Sequence, residues 1–508
     1  MSEPGRTLPP IGKVAVVGAV VVGVALRFVT SSHLWLDEAL SVDIARLPIG
    51  DIPAALRHDG HPPLYYLLLH GWMAVFGEGA TAVRALSGAL AVATLPLAWL
   101  AGRRVAGVAG GWWALGLFAL CPFLVRYGTE TRMYALVTLL VLAGWLLVRR
   151  ALEQPNLARL APIAAVSGLL LLTHYWALWL LGATVAVLAW HARSDVPARR
   201  VLVAVAAGGV LLVPWLPAML DQSAHTGTPW ASPVRPTTMV TNSLADIGGG
   251  GFAEAVLLGY GLLALFAVGF AGRTTGERSI ELDAAGVPGL RPEAAVIGLT
   301  LAIATVVGYA THTTFASRYV AALVPLFLLV AAVGAARLPG RTVPVVALVS
   351  VLALGAVGSA HNVVTDRTQA GVIVDAIRAG ARADDLVVVC PDQLGPSVHR
   401  LLPGDLQLLV YPTLGDGALV DWRDYEARNQ SADPAAFVAE ILMRARAAGA
   451  QSIWVVASGS YKTLEGQCEA VLSGLGAQSP GAQEIVTDDS DAYFEHASLT
   501  RFAAAPAP

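Results

Sequence analysis

Met133-Tyr134-Ala-Leu-Val-Thr-Leu-Leu-Val-Leu-Ala-Gly-Trp145-Leu-Leu-Val148-Arg149-Arg150 decides what kind of chain this is. The run carries no charge from 133 to 148 and stops on a basic pair. A bilayer core about 30 Å thick needs roughly 20 apolar residues per helix, somewhat fewer when long basic side chains reach out to the headgroups. Ten more such runs flank it, at 11–29, 82–101, 107–125, 160–174, 176–191, 201–219, 252–271, 294–311, 319–336 and 343–359. The expectation is a polytopic α-helical membrane protein with about 11 transmembrane helices. The first run is long enough to span and is followed by no small-residue cleavage site, so it reads as a helix and not a cleaved signal.

The seams between runs set the direction. Arg103/Arg104, Arg149/Arg150/Arg159, Arg193/Arg199/Arg200, Arg273/Arg278/Arg291 and Arg337/Arg341 fall at every second seam. Basic clusters mark cytoplasmic loops, so this alternation places the N-terminus in the cytoplasm and everything after the eleventh span outside the plasma membrane. Residues 62–77 are apolar but short, and a crossing there would invert every later loop. They read as an interfacial or re-entrant helix on the outer face.

The chain has two compositional parts, 1–360 and 361–508. Overall, 56% of the residues are hydrophobic and only 14% charged, against about a quarter charged in soluble chains. The second part has ordinary soluble character. A helical period over Val372–Arg382, a buried-strand run at Leu386–Cys390, strands at Leu406–Tyr411 and Ile453–Ala457 and a helix at Pro434–Ala447 predict an extracytoplasmic α/β domain with a largely parallel sheet. No glycine-rich dinucleotide fingerprint occurs in it. A net charge of −3 excludes nucleic acid as a natural partner. Cys390 and Cys468 would pair only if this part faces an oxidising compartment, and their spacing does not decide that. Lysine is confined to Lys13 and Lys462 while arginine is plentiful, a bias of GC-rich bacterial genomes.

Chemistry-bearing residues gather at the expected outer seams. The first outer loop holds His33-Leu-Trp35-Leu-Asp37-Glu38-Ala-Leu-Ser41 and then Arg57-His58-Asp59-Gly-His61-Pro-Pro. Asp37 and Glu38 follow a membrane helix directly. Partial burial there raises a carboxylate's proton affinity and suits it to general-base work. The blander alternative is that either acid merely charges the first turn of a helix starting near Ala39. His58, Asp59 and His61 are a second cluster. Imidazole and carboxylate suit zinc or manganese, but the spacing matches no standard metal site, so substrate contact is the stronger reading. Arg126, Glu130, Arg132 and Tyr134 form a third group, followed by His174 and by Arg318 with Tyr319. Arginine at that depth suits a lipid-linked phosphate, because its planar fork donates to two oxygens at once; snorkelling or a Glu130–arginine pair is the structural alternative.

Trp35-Leu36-Asp37-Glu38-Ala39, then His61-Pro-Pro-Leu-Tyr65-Tyr66, Glu130-Thr-Arg132-Met-Tyr134 and Arg318-Tyr319 resemble, in order, the signature stretches of glycosyltransferase family 39. That family of the GT-C superfamily includes protein O-mannosyltransferases and lipid A aminoarabinose transferases, and the resemblance covers roughly residues 11–340. It implies an inverting enzyme that takes a sugar from a polyprenyl-phosphate carrier on the outer face. By resemblance, Asp37 orients or deprotonates the acceptor hydroxyl, with Glu38 beside it. Arg132 or Arg318 steadies the leaving phosphate, and Tyr65 or Tyr66 lines the sugar pocket. The composition fits a decaprenyl-phosphate system, which makes mannose the first expectation and arabinose the second. The acceptor would be a cell-envelope glycan, glycolipid or protein. No cofactor is fixed by these residues, a divalent cation being the one option.

Two other classes compete. A transporter or flippase would place charges near the bilayer midplane and show paired broken helices, whereas here the charges sit at the outer mouths. A non-catalytic assembly protein would find Asp37 dispensable.

Overall fold

The computed structural model describes residues 8–227, 233–275, 279–283, 285–479 and 481–504. Among the described residues, six helical stretches are long and apolar enough to cross a bilayer, and five more are apolar but only 10 to 17 residues long. In chain order the helices of the first part are α1 (Pro10–Leu26), α2 (Leu36–Arg46), α3 (Ile52–Asp59), α4 (Leu64–Phe76), α5 (Ala80–Leu120), α6 (Pro122–Gly128), α7 (Tyr134–Glu153), α8 (Leu157–Leu171) and α9 (Trp176–His191). There follow α10 (Val196–Ala207), continued by a 3-10 stretch into α11 (Leu216–His225), then α12 (Pro236–Gly248), α13 (Ala253–Ala271), α14 (Arg291–Thr311), α15 (Val324–Ala336) and α16 (Thr342–Val364). α1 shows why these are not soluble helices. It turns Gly12, Val16, Ala19 and Gly23 to its neighbours and leaves Val14, Val17 and Val21 exposed, so apolar surface lies on both faces.

α5 is two arms. Forty-one residues at 1.5 Å each would run about 60 Å, twice a bilayer core. The helix breaks at Ala106 and at Gly107, whose φ of 64° suits glycine. The arms then meet backbone to backbone, since a Cβ on Gly102 would lie 2.3 Å from the Gly110 carbonyl oxygen. The break follows Arg103/Arg104 directly, where the arginine pattern requires a turn. Small residues bring other spans equally close: a Cβ on Gly334 of α15 would lie 1.9 Å from the Leu265 carbonyl oxygen of α13. α4 has 13 residues, about 20 Å, and packs on α2 and α5.

The basic seams touch one another. Arg104 donates to the Arg149 carbonyl oxygen at 3.1 Å and Arg200 to that of Pro155 at 3.3 Å, while within one seam Arg159 donates to that of Arg150 at 2.9 Å. Arg149 lies 3.7 Å from Glu293 at the start of α14. The arginine-rich loops therefore collect at one end of the bundle.

The second part forms three layers. Its helices are α17 (Ala370–Gly380), α18 (Gly395–Leu401), α19 (Tyr425–Gln430), α20 (Pro434–Ala448) and α21 (Gln467–Gln478). Its strands are β1 (Leu386–Cys390), β2 (Gln407–Val410), β3 (Ser452–Ala457), β4 (Gln483–Val486) and β5 (Ser498–Ala503), in the order β2-β1-β3-β5-β4. β1 pairs in parallel with β2 and β3, Val388 standing opposite Leu409 and Val455. β5 and β4 add an antiparallel edge that the sequence reading lacks. β1 is buried at every position because both faces are covered. Val387 and Val389 pack with Ile373 and Ile377 of α17, while Leu386 and Val388 share a core with Ile441 of α20 and Val471 of α21. A disulfide joins Cys390 at the end of β1 to Cys468 of α21.

Candidate active site

α2 is the pivot. Successive residues of an α-helix point about 100° apart, so Asp37 and Glu38 cannot share an environment. Glu38 points inward and is fully buried. Its Oε1 accepts from Arg84 Nε at 2.7 Å and from the Thr131 N–H at 2.9 Å; its Oε2 accepts from Arg84 Nη2 at 2.6 Å and from Arg367 Nη1 at 3.4 Å. Burial alone would raise its proton affinity, but the Arg84 fork, Arg367 and the Thr131 N–H outweigh burial and hold the carboxyl at about 2. An acid so committed stays ionised and fixes α2 against α5. It does not present itself as a base.

Asp37 faces the other way, its side chain 15% exposed. Oδ2 lies 3.4 Å from Arg318 Nη1 and 3.9 Å from Arg132 Nε, and accepts no hydrogen bond among the described residues. Arg132 Nε, Arg318 Nε and the Tyr134 hydroxyl are likewise buried and unbonded there. One acceptor and three donors in one neighbourhood, all without partners, are costly unless something else engages them.

Arg132 is held in place by a relay. Its Nη1 donates to Ser41 Oγ at 3.1 Å and its Nη2 to His61 Nε2 at 3.0 Å. A guanidinium cannot accept, so His61 Nε2 must offer its lone pair and the ring proton sits on Nδ1. That proton goes to Asp59 Oδ2 at 2.9 Å, which also accepts the Tyr66 hydroxyl at 2.7 Å. Burial works to raise the Asp59 carboxyl, but His61 and its hydrogen bond hold it below the usual range. Asp59, His61 and Tyr66 thus serve Arg132, and the His61 lone pair that a metal would need is already engaged. Among the described residues no three His, Cys, Asp or Glu side chains come together as metal ligands.

Aromatic rings wall the other side. His174 lies 5.8 Å from Tyr134, 5.4 Å from Tyr319 and 6.5 Å from His61, ring centre to ring centre. Arg126 donates to Glu130 at 3.2 Å, and Glu130 lies 3.8 Å from Arg367. Two expected contact residues stand apart from Asp37. His58 is half exposed and bonds Asp421 of the α/β layer at 2.9 Å; Tyr65 is buried with its hydroxyl on Ser87 Oγ at 3.0 Å. His58 therefore belongs to the contact between the two parts, and Tyr65 to the packing of α4 on α5.

Sequence reasoning missed two residues of the α/β part. Arg367 is buried and donates to the Thr129 carbonyl oxygen at 3.0 Å and the Thr129 hydroxyl at 2.7 Å besides Glu38. Glu495 accepts the Leu36 N–H at 2.6 Å, at the first turn of α2, and the Thr368 hydroxyl at 2.6 Å. Burial drives its carboxyl up to about 7. Trp35 packs edge-on against Phe494 at 5.3 Å. The α/β layer thereby grips the start of α2, one residue from Asp37.

Residues 60–218 match a family model described as dolichyl-phosphate-mannose-protein mannosyltransferase. The match spans just under a third of the chain and holds His61, Tyr66, Arg132 and His174, but neither Asp37 nor Arg318. No curated protein matches the chain. Among solved structures, ArnT from Cupriavidus metallidurans in the apo state is similar with a TM-score of 0.61 at 14% identity, over 96% of this chain and 97% of that one. The same protein bound to undecaprenyl phosphate gives 0.58 at the same identity and coverage. The Archaeoglobus fulgidus oligosaccharyltransferase, in complex with Zn and sulfate, gives 0.51 at 10% identity, over 87% of this chain and 68% of that one. At such identities the likeness is one of fold, and it extends over nearly the whole chain.

Proposed function

We propose that this chain, a multi-pass membrane protein with the fold of the GT-C glycosyltransferases, moves a sugar from a polyprenyl-phosphate carrier to a hydroxyl of a cell-envelope glycan or glycolipid. The observation that carries the reading is Asp37, partly exposed beside Arg132 and Arg318 with unbonded polar atoms around it. In the proposed reaction the acceptor oxygen attacks the anomeric carbon from the face opposite the phosphate. Asp37 takes the hydroxyl proton as the new C–O bond forms. The sugar–phosphate C–O bond breaks, and the released oxygen's charge develops beside Arg318 and Arg132 Nε. One displacement inverts the anomeric carbon. Arg318 and Arg132 would supply the positive charge that the departing phosphate needs.

The undecaprenyl phosphate in the ArnT structure supports a polyprenyl phosphate as the carrier class. The family model's name favours mannose, with arabinose second. The convergence of the arginine seams at one end of the bundle, away from Asp37, supports eleven crossings with a cytoplasmic N-terminus and both the site and the α/β layer outside. The test is transfer of radiolabelled mannose or arabinose from decaprenyl-phosphate carriers in membranes holding wild type or Asp37→Asn. Label reaching an envelope glycan or glycolipid with wild type alone supports the reading and identifies the sugar. Equal transfer by both proteins removes Asp37 from the mechanism.

A further inference from the structure

At the arginine-rich end of the bundle, away from Asp37, α7, α8, α9, α10 and α14 enclose a cavity of about 220 Å³. Its walls are apolar, with Val141, Leu170, Leu188 and Val296 typical of them. The apolar walls are helices of the membrane bundle, so an acyl chain can enter from the bilayer, while the polar end opens toward the arginine loops.

One end of it is not apolar. Arg149, Glu293, His191 and Asp195 line that end, the last two exposed, with Asp195 Oδ2 also accepting the Ala198 N–H at 3.3 Å as the cap of α10. Glu293 is the third residue of α14, a place where an acid ordinarily meets headgroup water and the helix dipole. Here it is only 4% exposed. Its Oε1 accepts the Trp145 indole N–H at 2.9 Å, Arg149 Nη1 stands 3.7 Å off, and Oε2 has no hydrogen-bond partner among the described residues. Helix-end electrostatics explains an acid in this turn. It does not explain one buried at the head of an apolar cavity with an oxygen unengaged. An ionisable group at such a place is retained for a partner.

We infer that this cavity is a binding site for a phospholipid whose headgroup carries a phosphate and a primary ammonium. Part of one acyl chain fills the apolar part, Arg149 meets the phosphate, and the carboxylates of Glu293 and Asp195 receive the ammonium N–H donors. A headgroup of both signs matches a rim of both signs. A quaternary ammonium has no N–H to give, and an anionic headgroup without an amine leaves two carboxylates facing negative charge. The inference stands apart from the transferase reading and needs no activity to test.

Purified protein is exchanged into nanodiscs holding equal phosphatidylethanolamine and phosphatidylcholine of matched chains, extracted gently and weighed intact by native mass spectrometry. Wild type is expected to retain one lipid with at least a tenfold preference for phosphatidylethanolamine. Glu293→Gln keeps the shape of the site and should still retain lipid, with the preference reduced below threefold. Leu181→Trp, which fills the cavity from α9, should retain none. Monodisperse elution and an unchanged unfolding temperature establish that each variant is folded. Equal retention of both lipids by wild type, no retention by folded wild type, a preference surviving in Glu293→Gln, or a polyprenyl phosphate as the retained molecule each overturns the inference.

Discussion

Asp37 and Glu38 are neighbours in the chain, yet Glu38 is sealed between Arg84 at 2.6 Å and Arg367 at 3.4 Å while Asp37 stands partly open, its Oδ2 3.4 Å from Arg318. The helical step between them does the sorting. One acid is committed to fixing α2, and the other keeps an unbonded oxygen. Whatever fixes the rotation of α2 therefore decides which carboxylate is sealed inside and which faces Arg318.

The two acids should fail in different ways. Asp37→Asn should lower transfer by about 10²–10⁴-fold, the usual worth of a general base, with the unfolding temperature unchanged. Glu38→Gln should instead destabilise the protein by about 3–5 kcal/mol, because Arg84 and Arg367 are left buried without their shared counter-charge. Thermal unfolding in detergent beside transfer assays separates the two. A stable, inactive Glu38→Gln would reverse the assignment.

Arg318→Lys keeps the charge and loses the planar fork. A charge-assisted hydrogen bond is worth about 1.5–3 kcal/mol, so kcat/KM for the carrier-linked sugar should fall roughly 10- to 100-fold while the KM for acceptor stays put. Arg132→Lys should cost more, since Arg132 also bonds Ser41 and the His61 ring. Steady-state kinetics varying donor and acceptor separately is the measurement. A change confined to the acceptor KM would move Arg318 from the phosphate to the acceptor side.

Much of the fold is written locally in the sequence and much of the site is not. The alternation of basic seams locates the turn inside α5, and Ala106-Gly107 breaks the helix there. Pro236–Gly248 escaped because its threonines, serine and asparagine resemble a loop, though they form α12. β4 opens on exposed Gln483 and Glu484 and has no apolar run to announce it. The carboxylates, arginines and tyrosines of the loops around Asp37 are legible as a cluster because a membrane chain has few reasons to keep them. Which of two adjacent acids points inward is not legible, since helical phase separates them without orienting them. Nor are Arg367 and Glu495, whose partners lie 329 and 459 positions away. No local pattern encodes a contact at that distance.

Glu495 makes the grip on α2 sensitive to pH. Its carboxyl sits at about 7 in the folded protein because of burial, against an ordinary value of 4.5. An acid whose folded value is raised binds more protons when folded than unfolded between those two values, so stability falls as pH climbs from about 4.5 to 7. Its full contribution is present below 4.5 and amounts to about 3 kcal/mol. Unfolding temperatures of wild type and Glu495→Gln measured from pH 4.5 to 8 should diverge, the wild type declining more steeply. Parallel curves would mean that Glu495 carries no such shift.

Orientation can be tested without any substrate. Cys121 is buried and the other two cysteines are bonded to each other, so an introduced cysteine would be the accessible thiol among the described residues. Asp51, between α2 and α3 on the side of Asp37, and Ser194, between α9 and α10 among the arginine loops, are both exposed. If basic loops face the cytoplasm, Asp51→Cys in intact cells should react with a membrane-impermeant maleimide, and Ser194→Cys should react only after the membrane is opened. The reverse pattern would place the Asp37 site in the cytoplasm, where a carrier presenting its sugar outside could not reach it. That result would end the transferase reading in its present form while leaving the fold untouched.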